Sequence, residues 1–155
     1  MRWQDLTTAQ PELTTAVNAR FLAHRHHVLA TLGPDGRPRQ WGTEVGFHDG
    51  DLWIGGMSGS AKGADLDNDA RCSLHAAPID LAMADGDAIV EGLARPLGTT
   101  DSAAWITSAL GEGAPSDGRV FIIEIERCRH VTVDGDALIT RGWTSTSGLY
   151  ELRRH

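Results

Sequence analysis

A strand, a glycine-rich loop and a capped helix follow one another between Trp53 and Leu66. An apolar run ends at Gly55 and Gly56, small residues follow, and Ser60 then precedes a segment that predicts a short helix. Ser60 is a suitable N-cap, because its hydroxyl can accept a hydrogen bond from the free amides of the first helical turn. This order of elements constrains the fold more than any other stretch of the chain.

The start of that helix also predicts a site for an anion. Its unpaired amides and its dipole favour a negative charge. Lys62 lies in the same first turn, where a cation opposes the dipole. A phosphate facing Lys62 would explain that position. The alternative is an ordinary surface helix with a solvated lysine, and these residues alone leave both interpretations open.

Length and glycine content indicate one turn-rich domain. A chain of 155 residues suits a single core, so residues 1–155 are predicted to form one domain. Hydrophobic residues at 41% and charged residues at 23% are typical of a globular protein. The 18 glycines fit a β architecture with many turns.

Charge and hydropathy exclude several classes of protein. The net charge of −7 argues against a general nucleic-acid binder, which is usually basic. Every apolar stretch is far shorter than the roughly 20 residues of a membrane span. The segment Met1–Leu6 lacks the apolar core of a signal peptide. We therefore expect a cytoplasmic protein without membrane or nucleic-acid partners.

The pattern along the chain predicts hairpin-joined strands with few helices. Helices are predicted from Pro11 to about His24, from Ser60 to before Asp69, and from a Thr100–Asp101 cap through Leu110. Strands are predicted at residues 27–32, 37–48, 52–54, 71–76, 87–94, 120–125, 131–133 and 137–140, with loops at 78–86 and 111–118. The tail from Thr144 is expected to be ordered only by a partner. Such a pattern favours a small antiparallel barrel.

Motifs for metal or hydrolytic chemistry are not found in the sequence. The seven histidines form no His-x-x-x-His or Glu-x-x-His pattern, and His26 and His27 would point to opposite faces of a strand. There is no Gly-x-Ser-x-Gly turn for a nucleophilic serine. Cys72 and Cys128 are isolated, and we expect buried free thiols. No metal site is predicted.

Two tryptophans indicate a flat ligand. Trp41 and Trp53 lie on the two arms of one predicted hairpin, and the anion site follows the second arm. A flat, phosphorylated ligand could lie along these strands, and Gly42 would let a ring approach the backbone. The alternative is that both tryptophans belong to the core or to an interface.

The order of motifs resembles a known family. His27–Arg39 reads His-Val-Leu-Ala-Thr-Leu-Gly-Pro-Asp-Gly-Arg-Pro-Arg, and Asp49–Gly56, Gly59–Lys62 and Leu66–Leu74 follow at the family's spacing. This series is similar to the pyridoxamine-phosphate-oxidase-like, flavin-binding split β-barrels. The resemblance extends from about His27 to His75 and is architectural beyond that.

This resemblance implies a fold, an assembly and a cofactor. The fold would be mainly β with flanking helices, an antiparallel, Greek-key-like split β-barrel. The assembly would be a homodimer with two cofactor sites at the subunit interface. The cofactor would be FMN or the deazaflavin coenzyme F-420, while some family members hold haem or a tetrapyrrole instead.

The family's cofactor contacts can be carried over by position. Its second strand contacts the cofactor mainly through the backbone, and here the matching positions are Arg39, Gln40, Trp41, Gly42 and Thr43. The end of its third strand, which lies near the ring or ribityl chain, falls on Gly55 and Gly56. Its Ser-Arg-Lys phosphate motif falls on Ser60, Ala61 and Lys62.

Ala61 departs from this motif. Alanine cannot supply the bidentate phosphate contact of an arginine, which weakens the predicted grip on FMN. The deazaflavin-using branch of the family can show a small residue followed by lysine at these two positions, so F-420 remains a candidate cofactor. The vitamin B6 oxidase has a longer C-terminal substrate region, which Tyr150–His155 does not match, and that activity is not predicted.

The predicted function is an oxidoreductase that moves a hydride between a flavin or deazaflavin cofactor and a small organic substrate. The alternative is a binding protein that holds a flavin, haem or tetrapyrrole without turnover, or a scaffold that has lost its cofactor. No catalytic residue is assigned; His75 and Tyr150 are weak candidates for a proton donor.

Overall fold

The computed structural model of the protein describes residues 1–77, 83–115 and 117–155. Four helices are present in this part of the chain: α1 Trp3–Ala9, α2 Pro11–Leu22, α3 Ala61–Asn68 and α4 Thr99–Leu110. The strands are β1 His26–Leu32, β2 Pro38–His48, β3 Asp51–Met57, β4 Arg71–His75, β5 Asp87–Pro96, β6 Gly118–Asp134, β7 Ala137–Thr144 and β8 Gly148–Arg154.

Six of the strands close into an antiparallel barrel. The sheet order is β3-β2-β1-β4-β5-β6-β7-β8, and an additional pairing of β3 with β6 closes the ring. Strands β7 and β8 extend the sheet beyond the barrel from β6. The prediction of a mainly β, antiparallel barrel with flanking helices is therefore confirmed, whereas a homodimer and a single 155-residue domain stay predictions.

The hydrophobic core fills the barrel and continues under the N-terminal helices. Val17 and Phe21 of α2 are buried against it. Trp3 of α1 packs on Phe47 with ring centroids 4.8 Å apart. Helices α1 and α2 thus cover the apolar side chains of β2 that would otherwise face solvent.

Local sequence signals explain the segment that precedes α3. Asp49 and Gly50 both have positive φ values, 48° and 78°, as a tight two-residue turn between β2 and β3 requires. The side chain of Ser60 accepts a hydrogen bond from the amide of Gly63 at 3.2 Å. The predicted hairpin turn and the predicted N-cap of α3 are both confirmed.

Several predicted boundaries are wrong. The strand segments 120–125 and 131–133 belong to one long strand, β6, which pairs with β5 for most of its length. Helix α4 begins at Thr99 with Gly98 as its N-cap, so the predicted Thr100–Asp101 cap is not used. Helix α2 ends at Leu22 rather than near His24. The predicted loop at 78–86 lies partly outside the described residues.

The two ends of the chain are more ordered than the sequence indicated. Helix α1 was not predicted; the Arg2 guanidinium holds it to Asp51 at 2.8 Å, and Trp3 is buried. The tail forms β8, which pairs with β7 of the same chain from Gly148 to Arg154. The expectation that only a partner orders this tail is therefore wrong. No helix in the described ranges is long and apolar enough to cross a membrane.

Candidate functional site

A cleft of about 660 Å³ opens between strands β2 and β3, the start of α3 and the end of α4. Strand and loop residues supply most of its wall: His26, Trp41, Gly42, Thr43, Glu44, Val45, Gly46, Trp53, Gly55, Gly56 and Met57. The remaining wall residues come from the two helices with the N-cap of α3, and from the start of β6 with the residues before it: Ser60, Ala61, Lys62, Ile106, Leu110, Pro115, Asp117, Gly118 and Arg119.

Two glycines of β2 line the cleft and differ in what lies above them. A Cβ added at Gly42 would meet no atom within 4 Å, so space lies open above this residue. At Gly46 an added Cβ would overlap the indole of Trp53, which covers that glycine from the neighbouring strand. Trp53 is buried and packs with Ile106 and Val120 under α4. The site therefore offers an open glycine surface next to a fixed aromatic wall.

Lys62 forms part of the cleft wall. Its Nζ donates to the carbonyl oxygen of Gly55 at 2.9 Å and to the hydroxyl of Thr43 at 3.2 Å. Among the described residues, no carboxylate forms an ion pair with it. Burial lowers the pKa of Lys62, and the negative charge of Glu44 offsets that only in part. The ammonium group is thus a partly desolvated cation at the wall of a cavity.

The side chain of Arg39 contacts Asp65 and Trp41 and does not line the cleft. Its Nη1 lies 2.9 Å from Asp65, whose side chain is 2% exposed, and its guanidinium lies over the ring of Trp41. Asp65 also accepts from the Thr31 hydroxyl at 2.8 Å, and the indole nitrogen of Trp41 donates to that hydroxyl at 2.8 Å. This network fixes the orientation of Trp41 beside the cleft.

The structure brings together most, but not all, of the predicted cofactor residues. In the described part of the chain, the cleft wall includes neither Arg39 nor Gln40, although both lie on β2 next to residues that do line it. The others meet around the cleft: Trp41, Gly42, Thr43, Gly55, Gly56, Ser60 and Lys62. Their role in cofactor binding stays a prediction.

Sequence reasoning missed the contribution of β6. Arg119 pairs across the sheet with Gly56 and so reaches the cleft from the strand that closes the barrel. Both of its terminal nitrogens donate to Asp67 of α3 at 2.7 Å. The pairing of β3 with β6 joins distant parts of the chain, and no local pattern around Arg119 indicates it.

The candidate proton donors lie outside the cleft. His75 pairs with Asp87 at the end of β4, with Nε2 and a carboxylate oxygen 2.5 Å apart. Tyr150 borders a separate groove beside Arg141. Across the described ranges, no cluster of three or more His, Cys, Asp or Glu side chains could hold a metal ion.

Comparison with solved structures shows a similar fold in proteins of low sequence identity. PhzG from Burkholderia lata, solved with tetrahydrophenazine-1-carboxylic acid, is 14% identical with a TM-score of 0.67 over 99% of this chain and 93% of its own. A pyridoxamine 5'-phosphate oxidase-related, FMN-binding protein from Nostoc punctiforme is 12% identical with a TM-score of 0.61 over 94% and 96%. An F420 reductase is 15% identical with a TM-score of 0.50 over 64% and 85%.

Comparison with protein families is more specific. A search of curated proteins found no match to the sequence. The family model for pyridoxamine 5'-phosphate oxidase matches residues 13–132, which include strands β1 to β5, most of β6 and the whole Ser60–Lys62 segment. The chain belongs to the pyridoxamine 5'-phosphate oxidase family.

Proposed function

We propose that the cleft binds a phosphorylated flavin-type cofactor, FMN or the deazaflavin F-420, and that the protein is an oxidoreductase acting on a small organic substrate. The observation that carries this proposal is the position of Lys62. The residue lies in the first turn of the capped helix α3 and in the wall of a cleft that is open at Gly42.

The dimensions of the cleft fit such a cofactor. Its volume of about 660 Å³ lies within the range of small-molecule sites, which is roughly 300–1,000 Å³. A planar ring can lie on the backbone at Gly42, where an added Cβ would meet no atom within 4 Å, and beside Gly55, where such a Cβ would lie 3.6 Å from the indole of Trp53. A phosphate would meet Ser60 and Lys62 at the start of α3.

The residues of the chain would bind and orient the cofactor. When bound, a flavin or deazaflavin supplies the hydride chemistry, and the protein supplies position and electrostatics. Lys62 and the amides at the start of α3 would hold the phosphate. Trp53 and Ile106 would give the ring an apolar contact surface on one wall of the cleft.

The residue at position 61 affects which of the two cofactors binds more tightly. An arginine there would form two parallel hydrogen bonds with a terminal phosphate, and Ala61 cannot. The solved structures of similar fold include both an FMN-binding protein and an F420 reductase. Both cofactors are therefore tested side by side.

The absorption spectrum of the purified protein is the first test. A bound flavin or deazaflavin supports the proposal, and hydride transfer from the reduced cofactor to an added substrate then separates an enzyme from a carrier. A Soret band would instead indicate a haem or tetrapyrrole carrier. If FMN and F-420 both fail to bind on titration of the cofactor-free protein, the proposal is wrong.

We also propose a homodimer with shared cofactor sites. Strands β6 to β8 expose Val133, Leu138 and Leu152, each at least 40% accessible. Apolar surface of this kind often marks an interface. Light scattering should give a mass near twice 16.7 kDa, and a stable monomer at micromolar concentration would contradict shared sites.

We further propose a cytoplasmic location. The two buried free thiols, Cys72 and Cys128, fit a reducing compartment.

A further inference from the structure

We propose that Arg119 replaces the arginine that is missing at position 61 and serves as a second cationic ligand of the cofactor phosphate. This inference rests on the proposed function and names a residue from the opposite side of the cleft. The phosphate would then lie between Lys62 and Arg119, in front of Ser60.

The position of Arg119 is the first argument. A Cβ added at Gly63 would lie 3.2 Å from the Nη1 atom of Arg119 and 3.2 Å from the hydroxyl oxygen of Ser60. The guanidinium and the Ser60 hydroxyl therefore both lie next to Gly63, in the first turn of α3. Its side chain is 30% exposed and forms part of the cleft wall.

The glycines between these groups keep the space open. A Cβ added at Gly56 would lie 3.4 Å from the Ser60 hydroxyl and 3.5 Å from Cε of Lys62. Gly56 is also the cross-strand partner of Arg119. Ser60 and Lys62 thus lie over Gly56, which carries no side chain, and Arg119 extends from the position paired with it on β6.

The orientation of Arg119 is fixed before any ligand binds. Asp67, one turn beyond Gly63 on α3, accepts from Nη1 and from Nη2 at 2.7 Å each. The guanidinium also lies 4.8 Å from the ring centroid of Phe121. A guanidinium has five N–H groups, so three remain for an anion. A fixed donor loses little freedom on binding, which favours affinity.

Both positions give the same chemistry. Residue 61 lies in the first turn of α3, and Arg119 approaches that turn from β6. An arginine at position 61 of α3 and an arginine at position 119 of β6 can each place a planar donor group beside the same phosphate, next to Lys62. The absence of an arginine at position 61 therefore does not remove arginine from the site.

The test uses a pair of substitutions that leaves the net charge unchanged. Arg119→Ala with Asp67→Asn removes the guanidinium and its carboxylate together. Dissociation constants are measured for FMN, F-420 and riboflavin, which has no phosphate. We expect at least tenfold weaker binding of the cofactor that the wild-type protein holds and less than a twofold change for riboflavin. Adding Ala61→Arg to the pair should restore most of the loss.

A matched control removes another ion pair from the same sheet. Arg95 and Glu124 lie 2.9 Å apart and are both about half exposed. The pair Arg95→Ala with Glu124→Gln should leave all three dissociation constants unchanged. Thermal unfolding of each variant shows whether it is folded during the titration.

Three outcomes would overturn the role of Arg119. These are unchanged affinity for FMN and F-420, an equal loss for riboflavin, or no recovery with Ala61→Arg; none of them affects the proposed function. If the wild-type protein binds neither cofactor, the proposed function itself fails.

In that case a titration with inorganic phosphate decides the role of Arg119. Its binding is measured from the amide NMR shifts of Ser60 and Gly63. Equal binding or no binding in wild type and double variant overturns it, and at least tenfold weaker binding in the double variant supports it.

Discussion

The ammonium nitrogen of Lys62 lies 2.9 Å from the carbonyl oxygen of Gly55, so the first turn of α3 is joined to the end of β3. A second hydrogen bond, to the hydroxyl of Thr43 at 3.2 Å, extends the connection to β2. Lys62 is the only lysine in the chain. Three elements that surround the cleft therefore meet at one side chain.

Replacement of Lys62 by alanine should weaken binding of the phosphorylated cofactor. Hydrogen bonds to charged groups contribute about 1.5–3 kcal/mol, a loss of roughly ten- to hundredfold in affinity. The free energy of unfolding should change by less than about 1 kcal/mol, because water in the open cleft can replace the donor to Gly55. Lys62→Met keeps the aliphatic stem and is the control for packing. Unchanged affinity for both FMN and F-420 in these variants would show that Lys62 does not hold a phosphate.

The sequence was sufficient where local chemistry determines the structure. Asp49 and Gly50 adopt the positive φ values that their turn requires, and Ser60 caps α3 through its own side chain. These features depend on a few neighbouring residues. The prediction of a barrel rested on the alternation of such hairpins with short helices.

Features held by distant contacts could not be predicted. Helix α1 has no side-chain cap and depends on the pairing of Arg2 with Asp51 and on the burial of Trp3. Strand β8 is largely exposed, and its hydrogen bonds to β7 define it. Arg119 reaches the cleft only because β6 closes the barrel against β3. Each needs the tertiary fold to be known first.

Replacement of Arg39 by alanine should destabilise the fold. The Asp65 side chain, 2% exposed, would keep only the hydrogen bond from Thr31. Breaking a buried ion pair costs about 3–5 kcal/mol, and we expect about 2–3 kcal/mol here because the Arg39 side chain is 40% exposed. Chemical denaturation measures the loss, with the exposed Arg37→Ala as a control that should cost less than about 0.5 kcal/mol.

The same variant distinguishes two interpretations of Arg39. If its contact with Asp65 is its main role, the folded Arg39→Ala protein binds the cofactor within about twofold of wild type. A large loss of affinity at unchanged stability would support the family-based prediction that Arg39 contacts the cofactor.

Alanine at Gly42 and at Gly46 should have opposite effects. At Gly42 the added methyl group meets no atom within 4 Å, so the unfolding free energy should change by less than about 0.5 kcal/mol while cofactor affinity falls. At Gly46 the methyl group overlaps the indole of Trp53 and should cost about 1–3 kcal/mol. Denaturation and cofactor titration of both variants check this. Normal cofactor binding by Gly42→Ala would show that the ring lies elsewhere.

Stability should fall as the pH rises above about 9. Burial raises the pKa of the Cys72 and Cys128 thiols to about 12, from an ordinary value of 9.0. Above pH 9 the unfolded chain loses these protons while the folded protein keeps them, so the unfolded state gains stability. Denaturation at several pH values should show a slope that is smaller in a Cys72→Ala, Cys128→Ala variant. An equal slope in that variant would mean that other groups cause it.

Chemical labelling of Lys62 with and without cofactor tests the central claim most directly. Because the chain has one lysine, mass spectrometry after treatment with an amine-selective reagent reports a single side chain besides the N-terminal amine. A saturating concentration of FMN or F-420 should slow the labelling of Lys62 at least tenfold, whereas riboflavin at the same occupancy should protect it much less. Equal labelling rates with and without saturating cofactor would contradict a phosphate bound between Lys62 and the start of α3.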